Sequence, residues 1–133
     1  MNAYTDRAEI VLWVRHEDGR WSARTVWVVV LNGLNGLNGR YGQAYVRSAF
    51  GRRSAWYLRV LRGADTAVEV AGVRMPVTLR PVDDLELVER VSGAYRAKYG
   101  SSWPGPVESM NGPEAAATTM WLTDIGQVTQ LSA

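Results

Sequence analysis

The residues best equipped for chemistry form a run of eight, Arg47-Ser48-Ala49-Phe50-Gly51-Arg52-Arg53-Ser54, leading out of a β-rich segment into the start of a helix. Its three guanidinium groups, two hydroxyls, one glycine and the free amides of a helix N-terminus supply charge, donors and close backbone approach. Those are the parts a phosphate needs. Trp56 and Tyr57 follow at once, and an aromatic wall beside an anion site suits a flavin or nucleotide ring. Arg24 and Thr25 open the most β-rich segment of the chain. They would bring a fourth cation to the same cleft if that strand pairs with the one ending near Arg47. The competing reading is structural: an exposed basic loop with solvated arginines, aromatic side chains in the core, and Arg24 capping a strand end in solvent.

Other chemistries find little support. The chain has no Cys and a single His, His16, so no disulfide, thiolate zinc site or histidine cage is expected, and a Ser-His-Asp triad would have to use His16 as its base. Gly33, Gly36 and Gly39 are spaced G-x-x-G-x-x-G, which is not the dinucleotide fingerprint, and no P-loop is present. The acidic pairs Glu17/Asp18 and Asp83/Asp84 fall at turn or cap positions, where carboxylates belong for structural reasons. A net charge of +2 is too small to imply nucleic-acid binding by bulk electrostatics. The cations are nonetheless almost all Arg, with Lys98 the only Lys, and Arg is the better planar fork for phosphate and carboxylate oxygens. No apolar run approaches a membrane span, and the opening MNAYTDRAEI lacks the layout of a signal peptide. A cytoplasmic protein is expected, with neither membrane nor nucleic acid as partner.

The elements that must position these residues can be read from periodicity and turn chemistry. A length of 133 residues allows one good core, and 47% apolar with 21% charged residues argues against disorder, so residues 1–133 are taken as one domain with a tail at 1–8. Strands are expected at 9–15 and 24–31, the first followed by an Asp18-Gly19 turn. The triplets LNGLNGLNG make 32–42 an extended hairpin loop. A third strand over 43–48 puts Tyr45 and Arg47 on one face and Ala44, Val46 and Ser48 on the other. Ser54 caps a helix reaching Leu61, stopped by Gly63. A hairpin follows over 66–70 and 73–79 around Ala71-Gly72, and Pro76 marks an edge or bulge. Asp83 with Glu86 reads as a capping box for a helix to Tyr99, closed by Gly100. Residues 101–113 read as loop and 115–123 as the closing strand. The order β-β-β-α-β-β-α-β, with mostly antiparallel strands and helices set aside, gives an α+β barrel or curled sheet.

Several of these segments carry a resemblance. Arg24-Thr25-Val26-Trp27-Val28-Val29-Val30, Tyr45-Val46-Arg47-Ser48, Ala55-Trp56-Tyr57, Val68 to Gly72 with Met75-Pro76-Val77, and Ala94 to Gly100 resemble a family of small bacterial proteins. That family is placed in the FMN-binding split-barrel superfamily, beside the pyridoxamine phosphate oxidase-like proteins and deazaflavin-dependent nitroreductases. The resemblance runs from about Arg24 to Thr123. It implies a six-stranded, mostly antiparallel split β-barrel with two flanking helices, commonly a homodimer, holding FMN or coenzyme F420 with its phosphate near the loop after strand three. Ser48, Gly51 and Trp56 are similar in placement to residues that line the site in the nitroreductase relatives, and Arg24 with Thr25 matches their basic strand opening. Trp27 departs from the pattern, standing where the deazaflavin enzymes typically carry Pro, and the LNG triplets lengthen a hairpin that is normally tight.

Two functions are therefore expected to compete. In the first, the protein is a flavin- or deazaflavin-dependent oxidoreductase acting on a small organic molecule. Its cofactor-binding residues are Arg24, Thr25, Arg47, Ser48, Gly51, Arg52, Arg53, Ser54, Trp56 and Tyr57, and no catalytic acid or base is evident. In the second it binds a small molecule without a cofactor, as a cyclase or accessory protein of secondary metabolism would. Trp27, Tyr45, Trp56, Tyr95, Tyr99 and Trp103 would then line an aromatic pocket.

Overall fold

A computed structural model describes residues 8–31 and 43–124. The tail residues 1–7 and the LNG loop at 32–42 lie outside the described residues. Six antiparallel strands, β1 (Glu9–Arg15), β2 (Trp21–Leu31), β3 (Gln43–Val46), β4 (Thr66–Val70), β5 (Val73–Pro81) and β6 (Met120–Asp124), form a closed barrel in the order β1-β2-β3-β6-β5-β4. Helices α1 (Ala55–Leu61), α2 (Leu85–Tyr99), α3 (Pro104–Met110) and α4 (Pro113–Ala116), with a 3-10 turn at Gly51–Arg53, complete an α+β architecture.

Alternation on the strands gives the barrel an inside and an outside. Ile10, Leu12 and Val14 of β1, Val26 and Val28 of β2, Ala44 and Val46 of β3 and Met120 and Leu122 of β6 point inward and form one buried cluster. Trp56 and Tyr57 of α1 join that interior cluster. A second cluster lies outside the barrel wall, where Val29 and Tyr45 on the outer faces of β2 and β3 meet Val91, Tyr95 and Tyr99 of α2 and Val107 and Met110 of α3. The shared faces expected of β3 are thus present, with Arg47 following Tyr45 toward the helices.

Turn chemistry sets the two hairpins. Gly19 holds φ 92° and donates to the His16 carbonyl at 3.0 Å, closing β1 onto β2. Ala71 and Gly72 both take positive φ, 54° and 79°, the pair of left-handed residues a two-residue hairpin requires. Pro76 pairs with Ala67 inside β5, just before the β5–β6 ladder begins at Val77. β5 lies between β4 and β6 in the closed barrel, so Pro76 does not mark an edge strand.

Three expectations need correction. Residues 101–113 are not a plain loop, because Pro104 and Pro113 each start a short helix from its first turn, where proline's fixed φ fits and its missing N–H is not needed. The closing strand therefore begins at Met120, and Ala115–Thr119 are helix end and turn. The cap of α2 is Asp84, one residue later than expected; its Oδ1 accepts from the N–H groups of Glu86 and Leu87 at 3.0 and 3.3 Å.

Candidate functional site

The loop after β3 does not present its three arginines together. Arg47 is 1% exposed and turned into the space between β3, β6 and the helices. Its Nε donates to Thr119 Oγ1 at 2.8 Å, one terminal nitrogen to Met110 O and Asn111 Oδ1 at 2.9 and 3.0 Å, and the other to Val88 O at 2.8 Å. Its guanidinium also lies over the Tyr95 ring, 5.3 Å from the centroid. No carboxylate forms an ion pair with it among the described residues, and burial lowers its pKa. Arg47 is thus a clamp that ties together oxygens of α2, α3 and the turn before β6.

The rest of the loop is arranged around that clamp. Ser48 is buried; its N–H donates to Thr118 Oγ1 at 2.8 Å, while its own Oγ has no partner. Gly51 has φ +74°, and a Cβ there would sit 2.9 Å from the Glu114 Cβ. Arg52 is exposed and paired with Glu114 at 3.1 Å, and Arg53 is exposed. Ser54 caps α1 by position but makes no side-chain cap bond. Arg24 and Thr25 are exposed on the part of β2 that pairs with Leu12 and Val11 of β1. The β2–β3 ladder runs only from Val28–Val46 to Leu31–Gln43, so it stops short of carrying Arg24 alongside the loop.

A phosphate-bearing cofactor does not fit this loop as folded. A carboxylate, Glu114, occupies the glycine's approach side and pairs with Arg52; Arg47 spends its donors on protein; and both rings of Trp56 and Tyr57 are sealed in the barrel interior.

The second set of aromatic residues divides. Trp27, Tyr99 and Trp103 meet on the outer wall: Trp27 stacks on Tyr99 at 4.1 Å and 8°, and Trp103 lies 5.8 Å from Trp27 and 6.2 Å from Tyr99. Tyr95 continues the stack at 6.0 Å from Tyr99, and Tyr45 is buried in the same cluster. Trp56 is on the other side of the sheet, inside the barrel. These rings fill one another's space. Their hydroxyls serve β2 where it has left β1: the Val28 N–H donates to Tyr99 Oη at 3.3 Å, and that hydroxyl's single proton lies between the carbonyls of Ala8 at 2.6 Å and Val28 at 2.8 Å. Lys98 Nζ also donates to the Val28 carbonyl, and the Tyr95 hydroxyl to that of Trp27. Burial pushes the Tyr99 phenol up to about 12 and raises those of Tyr95 and Tyr45.

Open space lies elsewhere, at the end of the barrel where the β1–β2 hairpin faces the turn from α1 into β4. One cavity of about 670 Å³ is lined by Arg15, His16, Glu17, Asp18, Gly19, Arg59, Arg62 and Gly63–Asp65. A second, of about 740 Å³, is lined by Trp21, Val60, Gly63–Ala67, Arg74 and Pro76–Leu79. They share Gly63, Ala64 and Asp65. Arg15 is paired with Asp65 at 3.6 Å and Asp18 with Arg20 at 2.7 Å. The Arg20 amide and side chain hold the Asp18 carboxyl below its ordinary range. His16 Nε2 is hydrogen-bonded to Ser22 Oγ. Arg59, Arg62 and Glu17 make no ion pair among the described residues, so the first cavity, lined by three arginines and three acids, has two unpaired cations against one unpaired acid. Of the residues around the first cavity, the sequence marks His16 as the single histidine and Glu17, Asp18 and Gly19 as a turn, and assigns none of them to a site. The available signal was Arg59 and Arg62 at one end of α1, immediately before the Gly63 stop.

A closed six-stranded barrel with helices packed on its wall and cavities at one end defines the class of protein: a barrel domain of the α+β type. The chain belongs to a family described as an uncharacterized protein conserved in bacteria (DUF2255), which it matches over residues 1–122. No curated protein matches it.

Proposed function

We propose that the protein binds a small organic anion, with an acidic head and an apolar body, in the groove at the barrel end. The observation that supports this reading is that two neighbouring cavities share the Gly63–Asp65 wall, one bordered by Arg59 and Arg62, which make no ion pair among the described residues, the other by Val60, Ala67, Pro76, Val77 and Leu79. A carboxylate or phosphate gains charge-assisted hydrogen bonds from guanidinium groups, while an apolar body gains by leaving water. Such division of labour is usual for small-molecule sites.

This is the cofactor-free reading of the two raised from the sequence, moved from the aromatic stack to the groove. Flavin-dependent oxidation on an FMN-binding split-barrel scaffold is the other, and the committed donors of Arg47 and the position of Glu114 count against it.

Thermal unfolding in the presence of 2-naphthoate, naphthyl phosphate and FMN tests both. A ligand of the folded state alone, at about a hundred times its Kd, adds roughly 2.7 kcal/mol of stability. We expect an aromatic acid to raise the Tm, and Arg59→Ala with Arg62→Ala to weaken its binding about tenfold or more. No shift with any of the three would overturn the groove. FMN binding that depends on Arg52 and Arg53, and not on Arg59 and Arg62, would restore the redox reading.

A further inference from the structure

The second cavity is apolar along most of its wall but not at every point. Two charged residues, Asp65 and Arg74, belong to its lining, and Asp65 is paired with Arg15 at 3.6 Å. That leaves Arg74. Its guanidinium lies over two indole rings, 4.0 Å from the Trp13 centroid and 4.8 Å from that of Trp21, yet it makes no hydrogen bond or ion pair among the described residues. Register offers it an acid, because Glu69 stands opposite Arg74 in the β4–β5 ladder. The Glu69 carboxylate accepts from Trp13 Nε1 at 3.2 Å and forms no ion pair with Arg74. A guanidinium resting on aromatic rings keeps its charge, and its planar fork of N–H donors stays available to an acceptor from outside the protein. Trp21 also connects this cation to the first cavity: Arg15, which lines that cavity, lies over the same ring at 5.9 Å.

We infer that the ligand is a diacid, with a second carboxylate at the far end of its apolar body, and that Arg74 receives that second group. The inference rests on the proposed groove and narrows its ligand: one acidic head on Arg59 and Arg62, a spacer along Val60, Ala67 and Val77, the other head on Arg74. A carboxylate meets a guanidinium edge to edge through two parallel charge-assisted bonds. Chemistry at the end of the spacer sets the sign of the effect. In a wholly apolar pocket, exchanging a terminal methyl for a carboxylate strips water from a charge with nothing in return, and binding weakens. With Arg74 there, the same exchange gains a partner, and binding strengthens. Arg74 is exposed, so the gain is moderate and falls as salt rises.

Isothermal titration of the full chain at low salt with matched pairs, octanoate against suberate and decanoate against sebacate, reads that sign. In at least one pair the diacid is expected to bind about fivefold to tenfold tighter than the monoacid of equal length. Arg74→Gln should reverse the preference. Arg80→Gln, which removes a charge from the same strand outside both cavity linings, should keep it. Both arginines are exposed and outside every ion pair of the described residues, and an unchanged Tm confirms that the variants fold. Arg59→Ala with Arg62→Ala should weaken monoacid and diacid alike. Monoacids that outbind their diacids in the wild type, or a diacid preference that survives Arg74→Gln, would overturn the second acidic group and leave the groove standing. No binding by either class, or binding indifferent to Arg59 and Arg62, would overturn the groove and this inference with it.

Discussion

Replacing Arg47 with Met keeps much of the side chain's length while stripping the donors from Thr119 Oγ1, Asn111 Oδ1 and the carbonyls of Met110 and Val88. Buried acceptors left unpaired cost far more than the net value of the bonds they lose. We expect a loss of about 3 kcal/mol or more in urea unfolding. Ser48→Ala, at the next residue, should behave oppositely: its Oγ is buried without a partner, so the change should leave stability unaltered or raise it by up to about 1 kcal/mol. A loss as large as that of Arg47→Met would show that both are cogs of one network. The sequence made Arg47 legible as an important residue but not the direction in which it points. An anion site and a clamp on the protein's own oxygens draw on the same donors, and its partners Met110, Asn111 and Thr119 stand more than sixty residues away in the chain. Nothing local to residue 47 distinguishes the two.

At the scale of elements, local chemistry was the better guide. The Asp18-Gly19 and Ala71-Gly72 turns, the two faces of β3, and the helix over Ala55–Leu61 follow from neighbours in sequence, because backbone conformation and strand faces are set by residues one or two apart. What resisted reading was the stretch holding α3 and α4, where proline was taken as a breaker although at the first helical position it is a starter. Caps divide in the same way. Asp84 makes its bonds to Glu86 and Leu87, so Asp84→Ala should cost about 1 kcal/mol of unfolding free energy. Ser54 occupies an equivalent position without bonding, so Ser54→Ala should stay within about 0.5 kcal/mol of the wild type. Equal losses at the two sites would mean that position alone, and not the hydrogen bond, carries the effect.

For the whole molecule, the tyrosine layer between barrel and helices sets an alkaline limit. Burial holds Tyr99 up to about 12 against an ordinary 10, and Tyr95 and Tyr45 are raised as well. A phenol whose folded pKa is raised gives its full stabilisation below the unfolded value. Above pH 10 the unfolded chain ionises first, so stability should fall steadily as pH climbs from 10 through 12. Urea midpoints measured from neutral pH into this window should show the decline, with tyrosinate absorbance at 295 nm rising together with unfolding; Tyr99→Phe should make the slope shallower. The antiparallel barrel was legible from the strand count and the side-set helices. Strand order was not, because it depends on which distant strand fills the last gap. That gap has a cost during synthesis. β6 follows every other strand in the sequence, yet it seats between β3 and β5. While a ribosome is still delivering it, β3 offers an unpaired edge on which another nascent chain can template. Translational pausing before Met120, or loss of β6, would therefore send the product toward intermolecular aggregation and chaperone capture in place of a smaller folded species.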